Sequence, residues 1–210
     1  MIGAPPNVAH FDQVVARFLA IHGFPVRDYT TGAPQNQPTG LARPGEVAYS
    51  PEMNKTIARL GAHARKGKRR RLNGNEQEAM RLALHEGLHQ MRYGRTPEFY
   101  DGGTAPGTVG GYEEGATEAV AQDLLPIIAR KRFGHLMPGY ESVERAFTAY
   151  PEQTWNVRQL STFGSGAKSY RDRKARVWRR TFLHSDPDAR ARMIEQANSA
   201  RAEWGKRSGR

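Results

Sequence analysis

The segment from Asn75 to Arg92 constrains the fold most, because it combines an amphipathic helix with two histidines four residues apart. Asn75 is expected to cap this helix, and Glu78 three residues later completes a capping-box pattern. His85 and His89 then lie one turn apart and point the same way. Apolar residues recur at three- and four-residue spacing and predict the buried face: Met80, Ala83, Leu84, Leu88 and Met91.

The residues between the two histidines complete the pattern H-E-x-x-H, with Glu86 directly after His85. Two imidazoles at this spacing can share one metal ion, and Glu86 projects about 100° round the helix axis from His85, toward the same cleft. Where this pattern is used, the histidines hold zinc and the glutamate is the general base. The competing interpretation is a helix with two surface histidines and a solvated glutamate.

A third metal ligand is expected from a second helix, which opens near Tyr112 and carries several glutamates. Glu114 and Glu118 are four residues apart and share one face. A carboxylate at Glu114 would complete a set of two histidines and one glutamate, with a fourth position open for water. Glu118, one turn further on, can accept the free N–H of a ligand histidine and fix its tautomer.

At these two motifs the chain resembles the gluzincin branch of the zinc metallopeptidases, the thermolysin-like group and its minimal single-domain members. The matching residues are HEGLH at 85–89 and EGATE at 114–118, and the resemblance extends from about residue 47 to residue 150. It implies a zinc metalloendopeptidase with one catalytic Zn²⁺. By the same resemblance His85, His89 and Glu114 are the metal ligands, and Glu118 supports a ligand histidine.

Two assignments stay open within this resemblance. Glu113 stands where the family frequently has asparagine, so Glu113 remains a rival for the third ligand position. The oxyanion of the tetrahedral intermediate needs a donor in addition to the metal, and relatives often use a tyrosine or histidine from this region. Tyr140 is favoured for that role, with Tyr112 and His135 as alternatives. For each of the three, a packing or surface role competes.

The expected fold class is α+β and mostly helical: a zincin-like domain with a small sheet over the active-site helix, plus basic C-terminal helices. We expect the zincin-like domain, with its N-terminal helix, at residues 1–163 and the basic helical extension at residues 164–210, because Gly164-Ser165-Gly166 is typical of a boundary. Residues 46–50 alternate and predict a strand. By resemblance this strand is a candidate for the edge that binds extended substrate. Residues 29–45 lack a period and predict a loop.

Helical periodicity and end signals predict further helices along the chain. Pro126 should kink or divide the second motif helix near Leu125, and Gly134 should end it. Ser185 and Asp186 offer a cap between the last two helices. The predicted helices are Asn7–Ile21, Met53–Ala64, Tyr112–Phe133, Tyr140–Tyr150, Thr154–Leu160, Tyr170–Leu183 and Pro187–Trp204.

The net charge of +11 is concentrated in two places. Residues 65–71 contain six lysines and arginines, and residues 161–210 contain thirteen against five acidic residues. Basic segments attract phosphate backbones and acidic protein surfaces, so residues 65–71 and 168–210 are candidate contacts for nucleic acid or an acidic protein. They are alternatively solvated faces. A competing function is therefore a basic structural or nucleic-acid-associated protein, for example of a phage virion, with a vestigial or structural zinc site.

The chain contains no cysteine, which excludes a disulfide framework and a cysteine-ligated zinc site. Its N-terminal residues have neither a basic nor an apolar region typical of a secretory signal, and no apolar run approaches the length of a membrane span. We therefore expect a cytoplasmic or virion-associated protein with a protein or peptide substrate and no membrane partner. Cleavage of a partner encoded beside it is a third possibility that the sequence does not separate from general proteolysis.

Overall fold

The chain is mostly helical and carries one small sheet, in a computed structural model that describes residues 6–26, 29–33, 40–43, 45–67, 69–90, 104–137 and 150–207. This confirms the expectation of a mostly helical α+β chain. None of the described helices is long and apolar enough to cross a membrane. The elements in chain order are α1 Pro6–Ile21, β1 Thr30–Thr31, β2 Gly40–Arg43, β3 Glu46–Tyr49, α2 Pro51–Lys66, α3 Gly74–Leu88, α4 Val109–Ile128, α5 Pro151–Ser165, α6 Arg173–His184 and α7 Pro187–Arg207.

The sheet has the strand order β1-β3-β2, with β1 parallel and β2 antiparallel to β3. The predicted strand at residues 46–50 is present as β3, but it lies in the centre and is paired on both sides. Its proposed role as a substrate-binding edge is therefore wrong. The expected loop at residues 29–45 is also wrong in part, because β1 and β2 lie within it. Strands of two and four residues are too short to give a readable alternation.

The chain divides into two compact units. The first comprises Met1–Gly94 and Ala121–Thr148, and the second comprises Arg95–Val120 and Ala149–Arg210. The boundary expected between residues 163 and 164 falls inside α5, which is continuous from Pro151 to Ser165. The helix predicted at 140–150 lies outside the described residues, apart from Tyr150 at the N-cap of α5.

In the first unit, α1 packs on α2 and α3 through two glycines. A Cβ at Gly61 of α2 would collide with the backbone carbonyl of Asn7, and a Cβ at Gly87 of α3 would press on Leu19 and Val15. These glycines let the helices approach closely. The apolar side chains that fill the core around them include Phe11, Phe18, Leu60, Met80, Ala83 and Leu84.

The helix α3 begins two residues earlier than expected. Its N-cap is Asn73, whose side chain accepts a hydrogen bond from the Glu76 N–H at 3.0 Å, while Glu76 accepts one from the Asn73 N–H at 3.0 Å. The capping box predicted at Asn75 and Glu78 is therefore wrong in register. Glu78 instead accepts two hydrogen bonds from Arg81, one turn along the helix. Two overlapping Asn-x-x-Glu patterns made the choice ambiguous.

The helix α4 continues through Pro126 as far as Ile128 and is followed by a π-helical turn, Ala129–Phe133. The predicted division near Leu125 is wrong; the helical geometry changes only after Ile128. Gly134 ends the turn with a φ of 64°, a left-handed conformation that favours glycine, and this confirms the predicted end.

In the second unit, α5 packs against both α6 and α7. Asp186 caps α7 by accepting a hydrogen bond from the Ala189 N–H at 2.8 Å, which confirms the predicted cap. The apolar core includes Val157, Leu160, Trp178, Phe182 and Ala197. Three arginines are also buried here, and they are called the buried arginines below: Arg158, Arg179 and Arg190.

Candidate metal centre

His85 and His89 lie at the C-terminal end of α3 with their rings turned toward each other. Both side chains are buried, and their Nε2 atoms are 3.0 Å apart. The ring centroids are 4.7 Å apart at an interplanar angle of 77°. The turn after Leu88 keeps helical backbone angles at His89, so the one-turn spacing that the sequence predicted is retained. The interpretation of two surface histidines is excluded by their burial.

The end of α3 is tied to the sheet and to α1. The Gln90 side chain accepts a hydrogen bond from the Gly45 N–H at 3.0 Å and donates one to the Glu46 carbonyl at 3.3 Å, at the start of β3. On the opposite side, Gly87 lies close to α1. These contacts hold the chain on both sides of the second histidine.

The third member of the group is Glu114, in the first turns of α4. One ligand atom from each of His85, His89 and Glu114 can be chosen so that all three lie within 4.8 Å of one another, and all three residues are buried. Glu113, the rival, is directed to a different partner: its Oε2 lies 3.8 Å from Nη1 of Arg190. Adjacent helical residues point about 100° apart, and of these two glutamates Glu114 is the one grouped with the histidines.

This group fits a divalent metal ion by its chemistry. It offers two imidazole nitrogens and one carboxylate oxygen, the donors that zinc accepts in three-ligand sites. Two nitrogens about 2.0–2.1 Å from a tetrahedral zinc ion are separated by about 3.3 Å, close to the 3.0 Å between the two Nε2 atoms. A buried His85, His89 and Glu114 cluster can therefore hold a metal ion.

Glu86, directly after His85 on α3, and Glu118 on α4 are also buried. Glu86 is 5% exposed, and Glu118 has no exposed surface. Glu118 lies one turn beyond Glu114 on α4, as expected for a residue that supports a ligand histidine; that role stays a prediction. Glu86 and Glu118, together with His85, His89 and Glu114, make five ionisable groups in buried segments of two helices, and burying them has a desolvation cost that their partners must offset.

A buried acid that the sequence reasoning missed lies beside this group. Asp12 of α1 accepts hydrogen bonds from Thr31 at 2.6 Å and from the hydroxyl of Tyr49 at 2.7 Å. Burial raises the pKa of Asp12 to about 6, the two hydrogen bonds oppose the rise, and the negative charge of Glu86 adds to it. Burial also raises the pKa of Tyr49, with further contributions from Asp12, Tyr29 and Glu86. The signal available in the sequence was a carboxylate among the apolar residues of the first helix, between Phe11 and Val15.

The three candidate oxyanion donors have different outcomes. Tyr140 lies outside the described residues. Tyr112 lies two residues before Glu114 on the same helix, about 200° round the axis, and so it occupies another face. His135 accepts a hydrogen bond from the Leu72 N–H at 3.0 Å, next to the start of α3. This position is about 18 Å along the helix from His85, so His135 is excluded as a donor at the metal centre.

A comparison of the chain with protein-family models, with curated proteins and with solved structures found no match.

Proposed function

We propose that this chain is a zinc-dependent metallopeptidase of the gluzincin type with a zincin-like fold. In this proposal His85, His89 and Glu114 hold one Zn²⁺, and Glu86 is the general base. The observation that carries the proposal is the buried group of two imidazoles and one carboxylate, contributed by the two motifs. Three protein ligands with an open fourth position are typical of catalytic zinc sites, whereas structural sites are closed by four protein ligands.

Each residue has a separate part in peptide-bond hydrolysis. A zinc ion held here would lower the pKa of water and polarise the carbonyl of the substrate. Glu86 would accept the proton of the attacking water and deliver it to the leaving nitrogen as the C–N bond breaks. Glu118 would keep a ligand histidine in the correct tautomer. Tyr140 remains the predicted donor to the oxyanion.

The position of Glu86 favours catalysis over a purely structural metal site. A structural site needs ligands but no base, and a glutamate without a role there would be expected on the surface. Glu86 is buried next to the first histidine, and it is close enough to Asp12 and Tyr49 to shift the pKa of both. Keeping such a carboxylate inside the protein costs free energy, which a catalytic role would account for.

The competing function, a basic protein associated with nucleic acid, loses part of its support. Arg179 and Arg190 belong to the surplus of positive charge in residues 161–210, yet both are buried. Arg70, in the other basic segment, pairs with Glu76 at the start of α3. The remaining exposed cations, including Arg65 and Arg69, are still available to an anionic partner.

The test is hydrolysis of a mixed peptide library by the wild type, by Glu86→Gln and by Glu195→Gln, a control at an exposed position on α7. We expect all three proteins to bind one zinc ion. Turnover should fall by about 100- to 10,000-fold in Glu86→Gln alone, because general-base catalysis typically contributes that much. Wild-type activity in Glu86→Gln would refute the mechanism. Binding of DNA that chelator does not affect, without any peptide cleavage, would favour the competing function.

A further inference from the structure

The pair formed by Glu113 and Arg190 connects the helix that carries Glu114 with the last helix of the chain. The two charged groups are 3.8 Å apart, and both side chains are almost completely buried. A buried ion pair is costly to form, and loss of one partner leaves an uncompensated charge. Rotation of the Glu113 side chain away from Arg190 would leave both charges unpaired inside the protein, so the pair fixes the direction of Glu113.

Other contacts hold the Arg190 guanidinium firmly in place. Its Nε and Nη2 donate hydrogen bonds of 2.9 Å to the carbonyls of Phe182 and Leu183, in the last turn of α6. The guanidinium also lies over the ring of Phe182, 5.6 Å from its centroid. With these donors engaged, the guanidinium presents its remaining edge to Glu113.

The same part of α4 touches α5. A Cβ at Gly115 would collide with the backbone carbonyl of Gln153, so the two helices meet at direct backbone contact. The Gln153 side chain also donates a hydrogen bond of 3.0 Å to the carbonyl of Thr104, in the turn before α4. Glu114 therefore lies between two residues, Glu113 and Gly115, that are both fixed by the C-terminal helices.

We propose that Arg190 is a positioning residue for the metal centre: it holds the Glu113 carboxylate and thereby fixes the rotation of the first turns of α4, so that Glu114 is presented as the metal ligand. This inference rests on the metal centre proposed above. It also explains the choice between two adjacent glutamates, because the one that pairs with Arg190 is withdrawn from the metal. The C-terminal helices, expected as a basic extension, thus contribute to the metal centre.

The test compares metal binding by the metal-free wild type, Arg190→Met, Glu113→Gln and the double variant. Arg192→Met, on the exposed side of α7, is the control. Zn²⁺ affinity is measured by competition with a chromophoric chelator, and ligand geometry by the visible absorption of bound Co²⁺. We expect Arg190→Met to weaken Zn²⁺ binding about 10- to 100-fold, as for other residues that orient ligands, and to change the Co²⁺ spectrum. Arg192→Met should change neither.

The double variant distinguishes positioning from a general structural effect. If Arg190 acts through Glu113, adding Glu113→Gln to Arg190→Met causes no further loss of affinity. If circular dichroism shows that Arg190→Met does not fold, Glu113→Gln alone carries the test, with an expected loss of about tenfold. Wild-type affinity and spectrum in both single variants would overturn the inference while leaving the metal centre intact. A wild type that binds no Zn²⁺ would refute the metal centre itself, and the inference with it.

Discussion

The proposed metal centre and the buried arginines both place ionisable side chains in the protein interior. The two sets of side chains differ in the kind of partner that they need. Arg179 donates to the Tyr170 carbonyl at 2.9 Å and to the Ser161 hydroxyl at 3.0 Å. Arg190 donates to two carbonyls at the end of α6. At the metal centre, by contrast, the buried groups are chiefly acceptors: His85, His89 and Glu114.

The difference concerns the kind of partner that each set of buried ionisable groups can accept. The guanidinium groups of Arg179 and Arg190 are matched by carbonyl and hydroxyl oxygens of α5, of α6 and of the turn between them. A buried group of imidazoles and carboxylates offers the donor atoms that divalent cations such as zinc accept. The contacts of Arg179 therefore belong to the packing of the second unit, whereas the acceptor group is the basis of the proposed metal centre.

The largest effect on stability is expected from Arg179→Ala. This change removes the donors to Tyr170 and Ser161 and leaves a cavity where the side chain lay. Each loss costs free energy, and the free energy of unfolding should fall by about 3 kcal/mol or more. Urea denaturation measures it. The control is Arg176→Ala, at an exposed position on the same helix, which should change stability by less than about 0.5 kcal/mol. Equal effects of the two changes would contradict the structural role of the buried arginines.

Ionisation of Asp12 is expected to change the free energy of unfolding by a comparable amount, but in a way that depends on pH. The carboxylate of this buried residue accepts hydrogen bonds from two hydroxyl groups. Its pKa is raised from 3.8 to about 6 in the folded chain. Between these values the folded state keeps a proton that the unfolded state has lost, so stability falls as pH rises from about 4 to 6. The expected decrease in the free energy of unfolding over this pH range is about 3 kcal/mol.

The measurement for Asp12 is the free energy of unfolding of the wild type and of Asp12→Asn between pH 4 and pH 7, in the presence of chelator. The variant cannot ionise, so it should gain stability relative to the wild type as pH rises. A difference between the two proteins that stays constant over this range would show that Asp12 has an ordinary pKa.

The smallest effect concerns the helix that carries the histidines. Asn73→Ala should destabilise the chain by about 1 kcal/mol, because it removes the acceptor that caps α3. Asn75→Ala is a matched control one residue inside the helix, at an exposed position, and should have little effect. Thermal unfolding measures both. The opposite order of the two effects would restore the helix start that the sequence first predicted.

Local patterns made α3 and the ligand residues predictable from the sequence. The spacing of His85 and His89 defines one helix face, and Glu114 follows from a second motif. Gly134 and Asp186 were likewise readable as helix ends. Each of these signals is contained within a few neighbouring residues, and so no knowledge of the tertiary fold was needed.

The remaining features depend on residues far apart in the chain. Nothing near Arg190 indicates that it is buried, since its partner Glu113 belongs to another part of the sequence. The central position of β3 depends on β1 and β2, which are too short to predict. The partners of buried Asp12 are the hydroxyl groups of Thr31 and Tyr49, which lie far from it in the sequence and donate hydrogen bonds to its carboxylate. The residues of the candidate metal centre could therefore be predicted from the sequence, whereas the contacts that hold them in place could not.

The metal content of purified protein tests the central claim most directly. Elemental mass spectrometry would be applied to the wild type, His85→Ala, Glu114→Gln and His10→Ala, a histidine control on α1. We predict one zinc ion per chain in the wild type and in His10→Ala, and a loss or sharp weakening of zinc binding in His85→Ala and in Glu114→Gln. Wild-type protein without zinc, even after zinc is supplied, would contradict the proposed metal centre and the peptidase chemistry built on it.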